Sequence, residues 1–292
     1  MRECRRSFRS AGVAVAVVSF LVFPAVCPCA LAASRTSPCP DSFERGRRDL
    51  PKLALSFDGG SDAGETERIL EVLEQRGAIA TFFLTGEYIK RNPDLVRRIA
   101  ATGHQVGNHT WSHPHLTSWE RTRRHDTLAR LNQALLEQEL QRTALAFEDA
   151  TGRKMSALWR APFGEINRQL IAWASAAGWS HVGWTRDDGG GRHTLDSLDW
   201  VDERASRNYL TSEQISSRIL SFGAGGAGLN GGIVLMHVSA RRDDPEVRRL
   251  GALVDSLRDA GYRLVTITEL QRDAAREELP LPFTATLSLG RN

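Results

Sequence analysis

A chain of 292 residues, 41% hydrophobic and 25% charged, has ordinary globular composition and room for one large α/β domain or two small ones, which excludes an extensively disordered chain. Its formal charge of +3 sits in the opening residues, where Arg2, Arg5, Arg6 and Arg9 outweigh Glu3, so the sequence beyond Ala32 is neutral overall. A neutral body without a long Lys/Arg cluster interleaved with aromatics excludes a nucleic-acid binder.

The first segment has a basic start, an uncharged run from Ala11 to Val26, and small residues at Ala30-Leu31-Ala32. This is the pattern of a secretory signal peptide over residues 1–32, cut after Ala32. The run is shorter than the ~20 apolar residues that a membrane span needs, so membrane contact is expected only through the export signal, with a retained anchor as the competing reading. Arg5-Arg6-Ser7-Phe8 resembles a twin-arginine signal, which leaves the export route open. Cys27 and Cys29 do not follow the small-residue pattern of a lipoprotein cleavage site. Cys39 stands alone after the leader, so the mature chain is expected to rely on its core rather than an internal disulfide. The expected product is an exported monomer in the periplasm, cell envelope or medium.

Residues 33–50, rich in Arg, Ser and Pro, read as a linker, residues 51–278 as one domain, and residues 279–292 as a loosely held tail. Within the domain, short β-type runs alternate with helix-type segments. Strands are predicted at 53–57, 79–84, 104–107, 157–159, 181–184, 233–236 and 263–265. Helices are predicted near 64–76, 93–102, 118–151, 166–177, 211–222 and 244–260, with a last one from Thr268. Strand–helix alternation calls for a parallel sheet covered by helices, and seven such units favour a closed or nearly closed barrel. The segment from Asp187 to Ser206, with Gly189-Gly190-Gly191, reads as a long loop over one mouth.

In such a barrel the loops after the strands gather at one face. Asp58 ends the first predicted strand, His109 and His113 follow the third, Arg160 the fourth, Asp187 and Asp199 the fifth, and His237 ends the sixth. Two histidines four positions apart can grip one metal ion, although the same spacing also occurs on any helix face. Taken singly, Asp58 could cap a helix, His237 could be a satisfied buried histidine, and Arg160 a structural ion-pair partner. His115 reads as a loop residue, whereas Trp111 and Trp200 are placed to stack on a sugar.

Taken together, Ser56-Phe57-Asp58-Gly59-Gly60, the His109/His113 pair, Arg160-Ala161-Pro162-Phe163-Gly164, Asp199-Trp200 and Leu235-Met236-His237 resemble, in order, the five motifs of the polysaccharide deacetylase family, also called the NodB-homology or carbohydrate esterase 4 family. The match runs from about Pro51 to Leu270. The resemblance implies a distorted (β/α)7 TIM-like barrel and metal-dependent removal of N-acetyl or O-acetyl groups from an acetylated polysaccharide, peptidoglycan first, then chitin-like glycans and acetylated xylan. It implies Asp58 as general base oriented by Arg160, and His237 as general acid kept protonated by Asp199, with Asp187 as a rival partner. A backbone N–H near Phe163 is placed to bind the oxyanion, while Trp200 and Leu235 would line the acetyl pocket. The implied cofactor is a divalent metal, zinc first, with cobalt, nickel or manganese as alternatives, on His109 and His113. Family members commonly carry a second Asp directly after the base, where this chain has Gly59. The favoured replacement ligand is Asp62, with Glu65 weaker. The competing readings are two His plus water with weak metal binding, or ligation by Asp58 itself with impaired catalysis. The alternative function is a catalytically weakened barrel that binds glycan. A glycoside hydrolase would need paired acids at a set spacing and release new reducing ends.

Overall fold

The computed structural model describes residues 41–187, 193–202, 204–224, 228–240 and 242–277. The predicted leader, the tail and the triple glycine of the long loop lie outside these residues.

The first strand sets the architecture. β1 (Lys52–Gly59) is buried along almost its whole length, as expected of a parallel strand covered on both faces. Its alternation is plain: Leu53, Leu55 and Phe57 join the large cluster under the helices, whereas Ala54 belongs to a second, interior cluster with Phe83, Leu158, Val182 and Ile233. Side chains two apart share a face, so Ser56 and Asp58 follow Ala54 into the interior. The other strands are β2 (Thr81–Leu84), β3 (Gln105–Asn108), β4 (Leu158–Trp159), β5 (Ser180–His181), β6 (Gly232–His237) and β7 (Arg263–Leu264). All pair in parallel in the order β5-β4-β3-β2-β1-β6, and β7 pairs with the start of β1. The curled, seven-stranded parallel sheet agrees with the predicted barrel class.

The helices are amphipathic and lie outside. α1 (Thr66–Gln75) buries Thr66, Ile69, Leu70 and Leu73, the spacing of a single helical face. α2 (Gly86–Arg91) is capped by Thr85, whose hydroxyl accepts from Tyr88 N; at six residues it was too short for periodicity to reveal. α3 (Pro93–Ala101) follows it directly.

The single helix predicted over 118–151 is corrected. It divides into α4 (Trp119–Thr122) and α5 (Gln133–Thr151). Arg123 adopts a left-handed φ of 56° that ends α4, and the Asn132 side chain caps α5 through Leu135 N. The intervening chain folds back instead, with Ser118 N bonded to Asp126 O and Leu128 N to Leu116 O. α6 (Arg168–Ala176), α7 (Ser212–Leu220), α8 (Val247–Asp259) and α9 (Ile267–Glu277) complete the set among the described residues. None of these helices is long and apolar enough to cross a membrane.

Two irregular segments close the gap between β5 and β6. Residues 194–197 run beside β6, with Leu235 N bonded to Leu195 O and Ser197 N to Leu235 O, so this part of the predicted mouth loop serves as wall. Of the expected linker, residues 41–50 lie against the barrel: Phe43 bridges Val182, and Arg45 donates to the Asn230 and Gly228 carbonyls at 3.0 and 2.7 Å.

One buried acid lies just before α8. Glu246 is 5% exposed; Oε1 accepts from the Ser216 hydroxyl at 3.0 Å, and Oε2 has no partner among the described residues. Burial pushes its carboxyl from the usual 4.5 up to about 8. The folded chain therefore keeps a proton that the unfolded chain releases above 4.5, and stability declines between pH 4.5 and about 8. Glu246→Gln removes this penalty, so its gain in Tm over the parent, followed by calorimetry from about pH 5 to about pH 9, is expected to grow as pH rises.

Candidate active site

The interior polar ladder occupies the C-terminal ends of the strands. Asp58 lies directly opposite His237 in the β1–β6 register, which sets a carboxylate and an imidazole side by side. Asp58 is 6% exposed. Arg160, following β4 and 1% exposed, reaches it with Nη1 at 2.7 Å. The same nitrogen donates to Ser56 Oγ at 3.0 Å, Nη2 to the Gly183 carbonyl at 3.0 Å, and Nε to the Val182 carbonyl at 3.3 Å. The guanidinium also lies 4.2 Å over the Phe83 ring. A buried charge is tolerable only when paired and saturated in this way. Burial alone would raise the Asp58 carboxyl, but the positive charge of Arg160, aided by that of His237, outweighs it and holds the acid below its ordinary range.

On the opposite side Asp199, 2% exposed, grips His237 twice. Its Oδ1 accepts from Nδ1 at 2.7 Å and its Oδ2 from the His237 backbone N–H at 2.8 Å. Burial opposes a charged imidazole, yet the charge and hydrogen bond of Asp199 prevail and push His237 up to about 9. The geometry thus pairs His237 with Asp199, and not with Asp187.

His109 and His113 converge with Asp58. The two rings are 4.8 Å apart, and His109 Nε2 is 3.6 Å from Asp58 Oδ2. His109 Nδ1–H donates to the Arg160 carbonyl at 2.9 Å, fixing the tautomer that leaves Nε2 as a lone-pair donor. Burial lowers the His109 pKa and, with the neighbouring His109, pushes His113 down to about 3. Two neutral imidazoles with free nitrogens suit a divalent cation. A third protein ligand does not join them: among the described residues no group of three His, Cys, Asp or Glu side chains could hold a metal ion. Asp62, expected in that role, is exposed and caps a turn through Gly64 N at 2.8 Å. Position 59 faces the helix layer, where a Cβ would meet Leu84 at 2.8 Å, Val238 at 3.3 Å and Tyr88 at 3.4 Å. The residues therefore fit a two-nitrogen grip and not the three-ligand set of a catalytic zinc centre.

The loop carrying the imidazoles is strained. Thr110 and His113 have φ of 65° and 54°, and Phe163 on the facing turn has 58°. Such conformations persist at non-glycine residues only when the surroundings impose them. Here they do: Glu139 of α5 accepts from Trp111 N and Ser112 N, both at 2.9 Å, and Asn108 Oδ1 accepts from Thr110 N at 2.9 Å. Trp111, expected to stack on sugar, is instead part of this brace. It packs against Gly86, where a Cβ would fall 2.0 Å from the indole, with Arg142 3.7 Å over its face. Further along, Glu165, 1% exposed, accepts from Leu116 N, Thr117 N and His115 Nδ1 at 2.9, 2.8 and 2.7 Å. Burial favours its neutral form, but these bonds hold its pKa below the usual value. Sequence reasoning missed Glu139 and Glu165, because nothing local distinguishes them from surface acids, and it gave Ser56 in the first motif no role.

The outer ledge has exposed aromatics. Phe163 is 55% and Trp200 52% exposed, whereas Leu235 is 4% exposed within β6. His113 packs edge-on to Phe163 at 4.5 Å and His115 lies flat on it at 4.1 Å.

A family model described as polysaccharide deacetylase matches residues 45–182, and the chain belongs to this family of hydrolases. It is 30% identical to a chitooligosaccharide deacetylase of Bradyrhizobium over 227 residues, covering 74% of this chain and 89% of the relative. It is 28% identical to a peptidoglycan-N-acetylglucosamine deacetylase of Bacillus cereus over 226 residues, covering 77% of this chain and 70% of the relative. Among solved structures, the Bc1960 peptidoglycan N-acetylglucosamine deacetylase superposes with a TM-score of 0.63 at 26% identity, covering 78% of this chain and 92% of that one. BA3943 of Bacillus anthracis, described as a pseudoenzyme of carbohydrate esterase family 4, superposes as a mutant with restored activity at a TM-score of 0.62 and 25% identity, covering 80% and 72%.

Because one carboxylate braces the strained loop, Glu139→Ala is expected to cost about 1–3 kcal/mol in denaturant unfolding. The same variant is expected to broaden the His113 ring signals in NMR, while those of His237 stay sharp.

Proposed function

We propose that this chain, exported from the cytoplasm, removes acetyl groups, N-acetyl before O-acetyl, from a cell-envelope or environmental polysaccharide, with peptidoglycan ahead of chitin-like glycans. The observation that carries this reading is the adjacent pair of opposed titrations: Asp58 stabilised as carboxylate by Arg160, and His237 stabilised as imidazolium by Asp199. Two groups whose environments drive their pKa values apart are suited to base and acid roles in one site.

Hydrolysis of an acetamide requires a proton to leave the attacking water and another to reach the departing amine. Asp58 is ionised over the whole neutral range and takes the first. His237 donates the second from Nε2, since its Nδ1 is committed to Asp199. Arg160 fixes the Asp58 carboxylate so that one oxygen faces the cavity side shared with His109. His109 and His113 would hold a divalent cation, zinc being the best match to two imidazoles; when bound, it supplies Lewis-acid polarisation of the acetyl oxygen. With only two protein ligands the cation is held weakly. Trp200 and Phe163 offer faces to the sugar rings, and Leu235 contributes to the apolar lining. The N-terminal leader gives the domain access to envelope glycans, with membrane contact confined to the leader and the domain acting as a monomer.

A second reading, a barrel that binds glycan with weakened or no hydrolysis, is favoured by Gly59 and by the absence of a three-ligand group among the described residues. Acetate release from N-acetylchitopentaose and from peptidoglycan, assayed with added zinc or cobalt, separates the two. The hydrolase reading expects acetate from at least one glycan and a loss of ~10²–10⁴-fold in kcat for Asp58→Asn; glycan binding without acetate under any metal supports the alternative. Zinc bound at a fixed excess of the free ion, measured by equilibrium dialysis, is expected to fall sharply in His109→Ala and to be unchanged in Asp62→Ala, and equal zinc loss in both would contradict the two-imidazole site.

The acid role also fixes a pH profile. Imidazolium at position 237 persists up to about 9, so kcat is expected to hold through neutrality and fall above that pH. Asp199→Asn removes the charge that sustains it, and the alkaline limb is expected to move down by more than about one unit. An unmoved limb would show that His237 does not set it.

A further inference from the structure

The aromatic ledge beside His113 borders a cavity on its far side through His115. One face of His115 lies on Phe163, and the residue forms part of the wall of an open cavity of about 260 Å³. The opposite wall comes from α4, with Glu120 and Arg121, and from the folded-back chain after it, with Leu128 and Arg130. This chain is tied in place by the Thr117–Thr127 bridge and the Leu128 N to Leu116 O hydrogen bond. Its charges are unequal in their commitments. Glu120 turns its carboxylate to His115 Nε2 at 3.5 Å, whereas Arg121 and Arg130 have no acidic partner among the described residues. Two uncommitted guanidiniums thus border a cavity that is linked to the imidazole pair through the ring contacts of His115 and His113 with Phe163. Guanidinium is the side-chain group best shaped to take a carboxylate in a bidentate manner.

We propose that this cavity is a subsite for a carboxylate-bearing substituent of the glycan, so that the domain prefers an anionic glycan such as peptidoglycan, with its stem-peptide carboxylates, to neutral chitin. The proposal rests on the glycan-deacetylase reading of the adjoining site and supplies the feature by which its substrate is chosen. Arg121 and Arg130 hold the carboxylate, and Phe163 and His115 support the sugar between that anchor and the reacting acetyl group. Solvent-exposed ion pairs are individually modest and screened by salt, so the two arginines together amount to about a tenfold preference at low ionic strength.

The test is calorimetric titration of the intact protein with three ligands: N-acetylchitopentaose, a peptidoglycan oligomer with free stem-peptide carboxylates, and the same oligomer with those carboxylates amidated. The expected result is binding of the free-carboxylate oligomer about tenfold tighter than its amidated form, the gap closing at high salt. In Arg121→Ala/Arg130→Ala, whose Tm confirms folding, the gap disappears while chitopentaose affinity is unchanged. Equal affinity for the two oligomers in the parent, a gap that survives in the double variant, or no binding of any ligand overturns the proposal. Acetate release is followed in the same samples. Carboxylate-dependent binding without acetate leaves the subsite standing and removes the hydrolase reading; acetate release without charge preference does the reverse.

Discussion

The buried contact between Arg160 and Asp58 is the constraint around which the rest of the barrel is arranged. An ionised carboxylate on an interior-facing strand position has no water to solvate it, and a guanidinium beside it has the same difficulty. Each is made tolerable by the other, and the remaining guanidinium donors are satisfied by Ser56 and by the carbonyls of Val182 and Gly183. This joins β1, β4 and the chain after β5 through one side chain. The Arg160 carbonyl then orients His109, so the same residue governs both the Asp58 carboxylate and one imidazole.

Around this centre the protein sets two carboxylates in opposite service. Asp58 is depressed by a cation, and Asp199 sustains a cation on His237. Neither effect follows from burial, which would neutralise both groups; each follows from a specific charge at 2.7 Å. The imidazole pair behaves differently. No carboxylate counters burial strongly enough at His113, which stays neutral. On the function proposed above, a carboxylate kept charged beside two imidazoles kept neutral would divide base and cation-holding roles between them.

The backbone bears a cost for this placement. Thr110, His113 and Phe163 sit in the left-handed region around the ledge, and the brace consists of side chains from elsewhere: Glu139 and Arg142 of α5, Asn108 of β3, and the missing side chain of Gly86. Glu165 performs the same task for the segment leading to the outer cavity. These supports are polar, whether buried like Asn108 and Glu165 or half-buried like Glu139, so no hydrophobic pattern marks them.

What the amino-acid order determined by itself was the alternation of apolar strands with amphipathic helices and the polar residues that end those strands, because strand and helix periods and strand-terminal punctuation are local properties. It therefore contained the barrel and the approach of Asp58, His109, His113, Arg160, Asp199 and His237, while the departure at Gly59 showed only against the family resemblance. The break between α4 and α5 escaped a reading by length, since Arg123 and Asn132 act through single dihedral and capping choices inside a helix-like stretch. Tertiary structure alone decided that Asp62 caps a turn instead of joining the imidazoles, that Trp111 is a brace instead of a platform, and that Asp199 instead of Asp187 holds His237. Apart from the local Asp62 turn, those outcomes depend on which groups meet across distant positions of sequence, as Glu139 meets Ser112 across 27 and Arg160 meets Asp58 across 102, and such meetings are fixed by the closure of the sheet and not by any neighbour along the chain.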